Sequence, residues 1–126
     1  QRRVLGPGLH VIVNSGQEGT DTVEGPGIAE MAARIKFFRP QLADATRPEP
    51  QPGVSTAAAW GQWLPLVDGA GLDRGDERAL LVRRTLAERA WGSTSVSLVA
   101  LRGDGVRYDF NAEPGNAQGW SAVVEH

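Results

Sequence analysis

A chain of 126 residues that is 40% apolar and 22% charged is the size of one domain and can bury a core without covalent staples. It contains no cysteine, which excludes disulfides, thiolate metal sites and a cysteine nucleophile within these residues. Thirteen basic residues, almost all arginine, face 15 acidic ones for a net charge of −2; no basic stripe forms, and nucleic acid is not an expected partner.

The apolar runs fall well short of the roughly 18 residues that span a bilayer, so no membrane span is expected. Gln1 to Gly8 holds two arginines with no apolar stretch behind them, unlike a signal peptide, and the expected compartment is cytoplasmic. His10 and His126 are the two histidines. With no metal-ligand spacing around them, no metal is expected, and no motif names a cofactor.

Leu9 to Val13 reads as a short strand between Gly6-Pro7-Gly8 and Asn14-Ser15-Gly16. Polar loop follows to Glu24, and Pro26 suits a first helical turn. Ile28, Met31, Ala32, Ile35, Phe38 and Leu42 then recur at helical spacing, a stripe best read as core packing, with Pro40 ending or kinking the helix near Phe38. Pro48, Pro50 and Pro52 make residues 45–53 a stiff surface connection. Ser55 caps a second short helix holding Ala57 to Leu64, with Pro65 near its end. Residues 68–76 form a Gly-Asp loop. Residues 78–88 stay open between helix and edge strand. Thr94 to Leu101, the Gly103-Asp104-Gly105 turn and Val106 to Phe110 form a β-hairpin. A loop from Asn111 to Gly119 leads to a last short strand at Trp120 to Val124.

Five groups of residues carry chemical potential, each beside a plainer reading. His10, mid-strand, suits a general base or an axial haem ligand, or a histidine satisfied by backbone hydrogen bonds. Asn14, directly after the strand, can present an amide to a developing oxyanion; asparagine also simply stabilises turns. Thr94, Ser95 and Ser97 offer hydroxyls without an identifiable base, which leaves ligand binding or helix packing. Arg102-Gly103-Asp104 spells an adhesion tripeptide but reads as a hairpin turn. Of Trp60, Trp63, Trp91 and Trp120, all candidates for core, Trp60 and Trp63 stand one helical turn apart and can line a pocket for a flat or acyl ligand.

Two of these segments together resemble the NRDE family, the transport-and-Golgi-organisation proteins. Pro7-Gly8-Leu9-His10-Val11-Ile12-Val13-Asn14-Ser15 is similar to that family's Pro-Gly-x-His-x-x-Ser-Asn-Ala segment. Trp91-Gly92-Ser93-Thr94-Ser95-Val96-Ser97-Leu98-Val99-Ala100-Leu101, with Asp104-Gly105-Val106-Arg107-Tyr108, is similar to its Tyr-Gly-Thr-Arg-Ser-Ser-Thr-Val-Leu-Leu-Val-Asp…Asp-Gly-x-Val hairpin. The match spans nearly the whole chain but only the C-terminal half of the family. It implies an α+β fold, part of the αββα sandwich of N-terminal-nucleophile hydrolases, with the hairpin sheet covered by the helices near 28–38 and 56–64. By the same resemblance Asn14 gains weight as an oxyanion donor, and Thr94 and Ser95 lie near the site floor.

The departures are the absent cysteine, the absent Asn-Arg-Asp-Glu segment, and the family arginine missing from Gly92-Ser93-Thr94-Ser95. Residues 1–126 are therefore expected to be one domain, the C-terminal portion of an NRDE-like protein, and not catalytic alone. Such a half-sandwich leaves an open sheet edge and an uncovered apolar face, so its expected partner is the N-terminal half of the same protein or a second copy. The function this implies is handling of a small hydrophobic metabolite of the haem or lipid class, with His10, Trp60, Trp63, Thr94 and Ser95 as ligand-binding candidates. The alternative is the C-terminal half of an amidohydrolase whose nucleophile lies upstream of Gln1. A functionally silent remnant is the third reading.

Overall fold

The structure, a computed structural model, describes residues 4–13, 16–17 and 28–126. They form a mixed α and β fold with antiparallel sheets and a few helices. In chain order come β1 (Ile12–Val13), β2 (Gly16–Gln17), α1 (Ile28–Asp44), α2 (Thr56–Trp60) and α3 (Trp63–Val67). Then follow β3 (Arg83–Leu86), β4 (Arg89–Gly92), β5 (Val96–Arg102), β6 (Gly105–Asn111) and β7 (Trp120–Glu125). β5, β6 and β7 make a three-stranded meander, while β1 with β2 and β3 with β4 make separate two-stranded ribbons.

The expected hairpin is present. Val96 pairs with Asn111 and Arg102 with Gly105 around the Gly103-Asp104 turn. Its first strand starts later than expected, because Trp91 and Gly92 belong to β4 and pair with Arg84 and Arg83. That ribbon answers part of the open segment 78–88: Arg83–Leu86 are strand, while 78–82 are neither helix nor strand. The segment's helix-favouring composition is overridden: Ala87 and Glu88 take positive φ of 50° and 64°, the geometry of a two-residue reversal that matches strand twist.

Three further expectations need correction. Strand pairing near the start is confined to Ile12 and Val13 rather than Leu9 to Val13. Helix α1 continues through Pro40 to Asp44. Proline removes the hydrogen bond to the Lys36 carbonyl one turn earlier; the Gln41 side chain bonds a different carbonyl, its Nε2 donating to that of Phe37 at 2.9 Å. The single helix expected after Ser55 is two. Ser55 does cap the first, its Oγ accepting from Ala58 N at 3.1 Å, but Gly61 at φ 51° breaks the chain direction, and Pro65 falls inside α3 rather than at its end.

Ala59 and Trp60 of α2 pack on Leu98 of β5, joined by Leu64, Val67, Ala100 and Trp120. Helix α1 packs mainly against α3 rather than on the sheet; its Phe38 is buried, as are Ala79 and Leu81. The tryptophans divide accordingly: Trp60 is buried, Trp63 and Trp120 are partly buried, and Trp91 is exposed. No helix among the described residues is long and apolar enough to cross a membrane.

The meander has an unusual polarity. On β6 the residues facing the helices with Leu98 are Arg107, Asp109 and Asn111, all at 1% exposure or less. Val106, Tyr108 and Phe110 alternate onto the opposite face. There Tyr108 and Phe110 meet edge to face at 6.3 Å, beside Val99 and Leu101 of β5, which are 56% and 79% exposed. A strand with this alternation ordinarily turns its apolar side to the core. Here the outer face is the apolar one.

Candidate functional site

The buried polar side of β6 sets the geometry of the site. Residues 107 and 109 share a strand face, so the Arg107 guanidinium lies flat along the Asp109 carboxylate, Nε to Oδ2 at 2.8 Å and Nη2 to Oδ1 at 2.9 Å. Asp109 also accepts from Thr56 Oγ1 at 2.7 Å and from the Trp60 indole N–H at 2.8 Å. Four donors saturate a carboxylate. Burial pushes the Asp109 carboxyl up, but the bonds from Arg107, Trp60 and Thr56 together outweigh it and hold it below the ordinary carboxylate range. Arg107 Nη1 in turn donates to the Gln51 and Val54 carbonyls at 2.8 and 2.9 Å and lies 3.1 Å from Glu125. With every lone pair engaged, the pair has no spare capacity for proton transfer. It clamps the 51–54 backbone, α2 and β7 together and fixes the Trp60 ring.

Beside Trp60 lies a cavity of about 500 Å³. The proline-rich segment Arg47–Gln51 forms one wall, Trp60 and Trp63 another, and Val99 to Arg102 on the open edge of β5 the third. Most of this connection is exposed, as expected, but Pro50 is buried. Its carbonyl accepts from Arg102 Nη1, which anchors the wall. A second cavity of about 450 Å³ adjoins at Trp63 and Arg47, lined further by Pro7, Gly8, Leu9 and the end of α1 at Leu42 and Ala43. Both volumes lie within the few hundred to about 1,000 Å³ typical of small-molecule sites. The Trp63 indole N–H is buried without an acceptor among the described residues.

Of the residues singled out from the sequence, the structure brings Trp60 and Trp63 together in one cavity wall. His10 lines neither cavity; its Nε2 lies 2.7 Å from the Gly6 carbonyl. Thr94 lies beyond the far end of β5, in a shallow depression with Arg74, Arg83 and Trp91, and Ser95 is exposed next to it. Neither lines a cavity with Trp63. Asn14 lies outside the described residues. Sequence reasoning missed Arg107, Asp109 and Arg47. The first two carried a signal, opposite charges two apart on a strand, which places them on one face; Arg47 carried none.

Compared with known proteins, the chain matches no family model, no curated protein and no solved structure.

Proposed function

We propose that this chain is a binding module for a small hydrophobic metabolite of the haem or lipid class, which it holds against Trp60 and Trp63. The observation that carries the reading is the wall itself. Trp60 is held by Asp109 with only 4% of its surface exposed, and Trp63, which edges two adjoining cavities, offers the more accessible aromatic face. Rigid aromatic walls bind flat and acyl groups at low entropic cost, because few rotamers are lost.

In the same reading the chain is the C-terminal part of an NRDE-like domain, and the outer face of β5, β6 and β7 receives the second sheet of an αββα sandwich. The inverted polarity of β6 supports this, since Tyr108, Phe110, Val99 and Leu101 form an apolar surface with no cover among the described residues.

The test is native mass spectrometry of the protein purified from the cell. A co-purifying apolar small molecule is expected on the wild type and lost from Trp63→Ala. An adduct retained undiminished by Trp63→Ala contradicts the reading.

A further inference from the structure

We infer a second ligand site, separate from the tryptophan cleft. It is an apolar cavity between α1, α3 and β1 that takes one small non-polar molecule, no larger than benzene.

The cavity holds about 110 Å³. Ile35 and Phe38 of α1 form one side, Leu66 and Val67 of α3 another, and residues 11–13 with Leu80 close the rest. Leu42 alone is common to it and the chambers at Trp63. Its lining differs from theirs in kind: both of those chambers present substantial polar surface, whereas this one is almost wholly apolar. Arg34 is its single polar side chain, and the Arg34 Nε already donates to the Ala79 carbonyl at 2.7 Å. A buried water needs roughly two to four polar partners, and these walls do not offer them. Apolar cavities of this kind stay dry; one of about 150 Å³ lined by leucine, isoleucine and phenylalanine takes up benzene or xenon. At the rim Ile12 and Leu80 are 66% and 37% exposed, so entry from solvent passes apolar side chains. A ligand with polar groups would leave them unpaired inside, at a cost. Volume and lining together select a compact hydrocarbon or an apolar gas.

The experiment is a methyl NMR titration with benzene and with phenol, on the wild type, Ile35→Phe and Leu66→Phe. In the wild type, benzene is expected to shift the methyl signals of Ile35, Leu66 and Val67 saturably. Phenol binds there about tenfold more weakly, the scale of burying a hydroxyl without a partner. Ile35→Phe and Leu66→Phe fill the cavity from opposite walls, and each removes the saturable shift, read at Val67. No saturable shift in the wild type, or phenol bound as tightly as benzene, overturns the assignment without recourse to either variant. Benzene binding that survives both substitutions, or that moves only the Val99 and Leu101 methyls beside the tryptophan cleft, overturns its placement between α1 and α3.

Discussion

At the scale of single residues, Asp109 is the centre of the buried polar cluster. It is fully buried and its neighbours Arg107, Trp60 and Thr56 all donate to it. Asp109→Asn leaves the Arg107 charge without its carboxylate in the interior, which costs about 3 kcal/mol or more; urea unfolding checks this. Trp60→Phe keeps the ring but loses the indole bond and leaves an acceptor short, a cost of about 1–3 kcal/mol. The pH dependence follows from the lowered Asp109 carboxyl. A group held lower in the folded chain contributes stability above its unfolded value of about 3.9 and loses it as pH falls through the folded value. Acid unfolding is therefore expected below about pH 4, and Asp109→Asn flattens that limb of the stability profile. The alternation Val106-Arg107-Tyr108-Asp109-Phe110-Asn111 was readable as a strand of a hairpin. Which face is buried was not, because period two is the same for either choice; only the donors from Thr56 and Trp60, more than 45 positions away, decide it.

At the scale of elements, local signals succeeded where one residue type carries a fixed preference and failed where tertiary contacts decide. The Ser55 cap and the Gly103-Asp104 turn were legible for that reason. The continuation of α1 past Pro40 was not, since it rests on tertiary packing such as that against α3. The β3–β4 ribbon was hidden by helix formers at its turn: Ala87 and Glu88 hold a left-handed backbone that L-residues adopt at a cost of roughly 1–2 kcal/mol each. Replacing the pair with Asn-Gly removes that strain, and a gain of about 1 kcal/mol is expected, read as a higher thermal midpoint. Gly119 works the other way. A side chain there meets the buried Asn111 amide, which accepts from Glu113 N and donates to the Asn116 carbonyl. Gly119→Ala therefore loosens the 111–119 loop, and faster amide exchange at Glu113 is the expected sign.

At the scale of the whole molecule, one sheet face carries the helices and the cleft, and the other is apolar and uncovered among the described residues. The register shift after Tyr108 leaves Val123 without a cross-strand partner and 55% exposed. If the outer face receives a second sheet, Val123→Glu changes the stability of the isolated chain by no more than about 0.5 kcal/mol yet abolishes association with that sheet. Sedimentation of the mixed components checks this; concentration-dependent mass of the chain alone instead identifies a second copy as the occupant. The cleft was only partly legible. The spacing of Trp60 and Trp63 pointed to it, but its opposite wall comes from a linker expected at the surface and from a strand edge some 40 residues on. The most direct test of binding there is the set of indole N–H resonances during titration with haem and with oleate. Binding in the cleft moves or broadens the Trp60 and Trp63 signals with at least one of the two ligands and leaves Trp91 unchanged. Signals that stay fixed with both, or that move only at Trp91, contradict it.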